Sequence, residues 1–172
     1  MSGVRRIIAG VSGSAGGLPA LRYAADLAYA HGGILFPVHA WLPSALELAG
    51  HHYPAALLAE WEEAAWQRLW ATLDTAFGGC QPGLRVQPAI ALGNPGRILV
   101  HAAGQPGDLL VVGAGRRGAA RCRGHGTVSR YCLAHASCPV IAVPPPALPR
   151  SAAIWPDASR AETAAGHGQD RP

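Results

Sequence analysis

The sequence predicts an α/β protein built on a single open parallel five-stranded sheet with helices on both faces. Two observations carry that prediction. Short, nearly all-apolar runs alternate along the chain with segments of helical period, and glycine-rich turns follow the apolar runs. Strands that are apolar throughout belong in a sheet covered on both sides, and strand–helix alternation makes that sheet parallel. Right-handed crossovers then restrict the strand order.

The first strand is Arg6–Val11, an apolar run that closes in glycine. After a glycine-rich turn, Pro19 suits a first helical turn, and Leu18, Leu21, Ala25 and Ala28 repeat at helical spacing until His31-Gly32-Gly33 stops them. Ile34–Ala40 is the second strand. It contains Pro37, which cannot donate to a ladder, so it should lie where that donor is not missed. A loop over 42–54 leads to a helix from Ala55 to Phe77, with Leu58, Trp61, Ala65, Leu69, Leu73 and Ala76 on its inner face. The tryptophans at 61, 66 and 70 read as packing residues.

Leu84–Leu92 is expected to form one strand, and Asn94 then caps a helix that Pro95 opens, with Ile98, Leu99 and Ala102 inward. Asp108–Gly113 is the clearest strand of the chain. An arginine–glycine loop precedes a helix from Thr127 to His135, and Pro139–Val143 is the last strand. This gives one domain over 1–146 and a Pro/Ala-rich tail over 147–172, expected to be disordered.

Composition narrows the chemistry. All fourteen basic residues are arginine, which excludes Schiff-base lysines and a Walker-type phosphate lysine. Residues 109–156 hold six arginines and no acid, while the remainder holds eight arginines against ten acids. This is an anion-facing patch rather than a globally basic surface, and no aromatics interleave with it as nucleic-acid stacking would need. Cys80, Cys122, Cys132 and Cys138 form no CxxC, and His51–His52 has no nearby acid or thiol, so no metal centre is expected. Prolines and glycines interrupt every long uncharged stretch, so no membrane span is expected and the chain reads as soluble and cytoplasmic.

Ligands of such sheets sit at the carboxyl ends of the strands, where the strand order reverses. The segments to inspect are Val11-Ser12-Gly13-Ser14 and the loop that begins Gly113-Ala114-Gly115-Arg116 and ends Gly124-His125-Gly126-Thr127. Glycines allow backbone N–H groups close to phosphate oxygens, and a helix start adds free donors and a positive dipole end. Thr127 and Ser129 offer hydroxyls. The competing reading is a flexible glycine loop with solvated arginines.

From Asp108 through Pro144 the sequence resembles the carboxyl half of a universal stress protein domain. The family's nucleotide signature is Gly, two residues, Gly, nine residues, Gly, then Ser or Thr. Counted without gaps it starts at Gly113 and ends at Gly126-Thr127, with Arg116 where the second glycine stands. The resemblance extends over residues 4–144: Arg5 to Ala28 looks like the first strand and helix, and Gly93-Asn94-Pro95 matches a Gly-x-Pro turn. ATP-binding members usually end the first strand in an Asp that meets the adenine; Ser12 holds that place here.

The resemblance implies a Rossmann-like sheet of the adenine nucleotide alpha hydrolase kind. It also implies a nucleotide site in which the backbone near Gly10, Val11, Ser12, Ala40 and Val112 borders the base. Gly113, Arg116, Gly126, Thr127, Val128 and Ser129 would then hold the phosphates and ribose. The ligand implied is ATP or a related adenine nucleotide, with or without magnesium. The partners implied are a second copy, joined through the strand Pro139 to Val143, and an unnamed regulatory protein. The departures at Ser12 and Arg116 keep a second reading open, a nucleotide-free member that acts through protein contacts alone. No acid–base pair suggests enzymatic turnover beyond slow ATP hydrolysis, because Asp108 begins its strand, away from the crevice.

Overall fold

The computed structural model describes residues 3–12, 17–42, 54–79, 82–115 and 127–146. In chain order the elements are β1 (Arg6–Gly10), α1 (Gly17–Ala30), β2 (Ile34–Trp41), α2 (Ala55–Phe77), β3 (Arg85–Val86), β4 (Ala89–Leu92), α3 (Pro95–Ala102), β5 (Asp108–Gly113), α4 (Thr127–His135) and β6 (Val140–Val143). All pairings are parallel, in the order β3-β2-β1-β5-β6, and β4 lies beside β3 along the same side of β2. The tail over 147–172, His51–His52, Cys80 and Cys122 lie outside the described residues.

Alternation along the strands divides the core. Ile7, Ala9, Val11, Leu35, Leu109 and Val111 point to one face, where Ala20, Leu21, Ala24 and Ala28 of α1 and Leu69 and Leu73 of α2 cover them. Ile8, Val38, Leu110 and Val112 point to the other, against Leu99 and Ala103 around α3 and Cys132 of α4. Strands buried on both sides explain why β1 and β5 read as continuous apolar runs rather than alternating ones.

Two expectations need correction. Leu84–Leu92 is not one strand but two short ones, β3 and β4. The reason lies in β2. Leu35 O accepts from Gln87 N and Trp41 O from Gly93 N, each at 2.9 Å, so odd positions of β2 face this neighbour. Pro37 is the odd residue at the gap, and it has no N–H to give. The same parity turns the nitrogen of Pro88 away from β2, toward the sheet edge, where a missing donor costs little.

The second correction concerns α2. Its buried residues are Ala65, Leu69 and Leu73, whereas Leu58 is exposed. Trp70 does not pack inward either; it is 55% exposed and stacks on Trp66, with ring centroids 6.2 Å apart. The first turns of α2 therefore run past the core.

The helix ends are held as their residues dictate. The Asn94 side chain accepts from Gly96 N at 3.1 Å and Arg97 N at 3.4 Å, with Pro95 opening α3. At the end of α2, Arg22 of α1 donates to Ala76 O at 3.0 Å and Thr75 O at 3.2 Å, placing a cation on the negative pole of the helix.

Candidate functional site

The chain leaves β1 toward β2 through α1 and leaves β5 toward β6 through α4, so the strand order reverses between β1 and β5. Loops diverging from adjacent strands open a crevice at their carboxyl ends. Gly10, Val11 and Ser12 end β1; Ala40 and Trp41 end β2; Val112 and Gly113 end β5, followed by Ala114 and Gly115. Because α4 runs back from this edge to start β6, its first residues lie there too.

The sequence-predicted residues distribute as follows. Val11 is 6% and Val112 2% exposed, so their side chains belong to the core and only their backbone can border a ligand. Gly10 faces the side of the sheet that α3 covers: a Cβ there would lie 2.9 Å from Leu99 Cδ1 and 3.4 Å from Val112 Cγ1. Ser12 is exposed, while Ala40 and Gly113 are half-buried. Val128 packs against the second core cluster, Ser129 is buried, and Thr127 begins α4. The structure thus brings Gly10–Ser12, Ala40 and Val112–Gly113 to one edge of the sheet, with the start of α4 beside β5. Arg116 and Gly126 lie outside the described residues.

Local chemistry shapes that edge. Gly115 has φ +75°, a left-handed conformation that turns the chain sharply two residues past β5. Ala114 N donates to Val143 O at 2.7 Å, which anchors the start of this turn to β6. Neither α1 nor α4 has an acidic residue in its first turn, so no carboxylate of their own offsets their positive ends. Among the described residues, Arg97 and Arg130 stand in the first turns of α3 and α4, the helices that start from this edge. Among the described residues, no three His, Cys, Asp or Glu side chains gather as a metal site.

One residue of the edge escaped the sequence reading. His39, half-buried near the end of β2, has Nδ1 3.1 Å from Val11 O. A histidine in an apolar strand carries no local signal of such a contact, because its partner comes from β1.

The titratable groups whose environments shift them lie elsewhere. Asp108 begins β5, at the opposite end of the sheet from the crevice, as expected. Burial pushes its carboxyl up, but the hydrogen bond from Arg6, the Gln105 amide and the Arg6 charge outweigh this and hold it below the usual carboxylate range. Cys132 and Cys138 are free thiols. Burial, with a smaller contribution from Cys138, pushes Cys132 up to about 11.

A parallel sheet with helices on both faces, whose strand order reverses between β1 and β5, defines a small doubly wound α/β protein. Its sequence specifies the family: the universal stress protein profile matches residues 3–144, and the chain belongs to that family. No curated protein matches the sequence. Among solved structures, the chain is similar to the universal stress protein UspA from Lactobacillus plantarum, at 24% identity and TM-score 0.56, covering 83% of this chain and 99% of that one. It is similar to a universal stress protein in complex with cAMP, at 23% identity and TM-score 0.60, covering 83% and 98%. A family protein from Burkholderia pseudomallei shares 20% identity at TM-score 0.56, over 82% and 96%. Among the described residues, no helix is long and apolar enough to cross a membrane.

Proposed function

We propose that this protein binds ATP or a related adenine nucleotide in the crevice between the ends of β1 and β5, and acts as a homodimeric regulator in the cytoplasmic stress response. The observation that carries the reading is the convergence of Gly10–Ser12, Ala40 and Val112–Gly113 on one sheet edge beside the first turn of α4. Backbone donors there can meet a base edge, and the start of α4 can meet phosphates. The cAMP complex of a structurally similar family member supports an adenine ligand. Magnesium would arrive on the phosphates, since the described residues of the edge offer no carboxylate. Hydrolysis, if any, is slow.

The dimer would form through β6. Among the described residues this strand pairs with β5 alone, and all four of its residues are half-buried. An open apolar edge of this kind invites a two-fold mate.

The exposure of Ser12, where ATP-binding members usually carry Asp, favours a second reading in which protein contacts alone carry the function. Mass spectrometry of small molecules released from protein purified without added nucleotide separates the two. An adenine nucleotide near one per chain supports the first reading. Its absence, together with no heat of ATP binding in calorimetry, supports the second.

A further inference from the structure

We propose that His39 is the positioning residue of the crevice: its Nδ1–H, donated to the Val11 carbonyl, fixes where the chain leaves β1 and so sets the wall of the nucleotide site. The inference rests on the nucleotide reading above for its purpose, but not for its geometry.

The backbone ladder between β1 and β2 reaches its last bond at Val11 N→Val38 O, 2.9 Å. Beyond it Ser12 is exposed and the strand is over. The carbonyl of Val11, in a residue only 6% exposed, would lose its cross-strand partner there. It takes the ring of His39 instead, at 3.1 Å. A carbonyl only accepts, so Nδ1 is the donor and Nε2 is left to other contacts. The side chain thus adds one rung to the ladder after the backbone has ended it.

A second contact holds the same point from the other side. Gly17, the first residue of α1, packs so closely on Ser12 that a Cβ would lie 2.5 Å from Ser12 O and 3.1 Å from Ser12 Oγ. The exit from β1 is therefore clamped between an imidazole from β2 and the start of α1. Ala40, the sequence-predicted neighbour of the base, directly follows His39. One side chain thereby fixes two walls of the crevice relative to each other.

Three substitutions in the full-length protein test this. Asn at position 39 can place an amide N–H where Nδ1 stands; Gln reaches the Nε2 position instead, and Leu offers no donor. NMR-detected hydrogen exchange of the Val11 and Ser12 amides, without nucleotide, reads the tether. We expect His39→Gln and His39→Leu to exchange about tenfold faster than wild type, the scale of one lost hydrogen bond, and His39→Asn to stay within about a factor of two. ATP affinity by calorimetry is expected to fall in the same order, about tenfold for Gln and Leu and little for Asn. Equal exchange in all three variants overturns the tether. Normal exchange in His39→Asn with affinity lost as in Leu overturns positioning, because the ring would then touch the nucleotide itself. If the wild-type protein takes no ATP, the nucleotide reading falls, and the exchange order still decides whether His39 holds the β1 exit.

Discussion

Arg6 and Asp108, neighbours in register on β1 and β5, form a two-pronged ion pair at the amino end of the sheet. Nε meets Oδ1 at 2.9 Å and Nη2 meets Oδ2 at 2.7 Å. The arginine also donates to Ala102 O at 2.9 Å and lies 5.3 Å from the centroid of the Phe36 ring, while Gln105 N donates to Asp108 Oδ2 at 2.8 Å. The Asp108 side chain is 1% exposed and that of Arg6 20%, so the carboxylate is desolvated but fully engaged. The clasp joins β1, β5 and the end of α3 at the pole opposite the crevice.

This pair gives stability a defined pH dependence. The folded Asp108 carboxyl lies below its ordinary value, so its contribution is complete above the ordinary carboxylate range. It disappears as pH falls through the folded value. Asp108→Asn strands the Arg6 charge, and should cost about 3 kcal/mol at pH 7, the low end for breaking a buried pair because Arg6 keeps some solvent. Urea unfolding at pH 7 and pH 3 is the check. The loss on acidification should be smaller in the variant, and an equal loss in both proteins would remove Asp108 as its source.

The thiols should differ in reactivity. Burial raises both Cys132 and Cys138, and Cys132 is fully inaccessible whereas Cys138 is half-buried. At pH 8 a thiol with a pKa of about 11 is roughly one part in a thousand thiolate, and the thiolate is the nucleophile. Alkylation read by peptide mass spectrometry should leave Cys132 unmodified in the native protein, modify Cys138 slowly, and modify both in urea. Native labelling of Cys132 at its unfolded rate would contradict the packing described.

How much of this was legible beforehand depends on the range of the signal. Asn94-Pro95 announced the start of α3, and the helical repeat announced α2, because capping and periodicity are local. The same repeat misplaced Leu58, since a helix that runs beyond its sheet keeps its period where no described residue buries it. The β3–β4 break was not legible from Leu84–Leu92, because its cause, Pro37, sits on another strand. Arg6–Asp108 and His39–Val11 were invisible for the same reason: each joins strands whose adjacency only the topology defines. Glycine turns pointed to the carboxyl edge as the candidate site, while the contacts that shape that edge cross between strands.

Gly17→Ala should disturb both fold and site. The added Cβ would meet the Ser12 carbonyl at 2.5 Å, and backbone cannot swing aside as a flexible side chain can. Overpacking of this kind costs about 1–3 kcal/mol. Urea unfolding should show that loss, and ATP affinity should drop with it. A variant as stable as wild type would mean α1 shifts freely against β1.

The dimer prediction follows from β6. Light scattering at tens of micromolar should give twice the 17.7 kDa chain mass. Pro139 O and Val143 O face β5, so the N–H of Ala142 faces the open edge; Ala142→Pro removes that outward donor and should weaken association. A monomer in the wild-type protein at that concentration would defeat the edge-pairing reading.

The last prediction separates nucleotide binding from its loss. Gly126 immediately precedes Thr127, the first residue of α4, and stands at the final glycine of the signature. If phosphate approaches the backbone here, a side chain must block it, while the strands continue to hold the fold. Gly126→Val should therefore abolish ATP binding in calorimetry and leave the circular dichroism unchanged. Arg116 stands where the signature has its second glycine, so its side chain either fills the phosphate space or pairs with the phosphates. A bound polyphosphate is stabilised by nearby cations, and a guanidinium matches phosphate geometry well. Arg116→Gly should then weaken ATP binding about tenfold, or about 1.4 kcal/mol. Tighter binding in that variant would show the arginine plugging the site, and would favour a protein that acts without nucleotide.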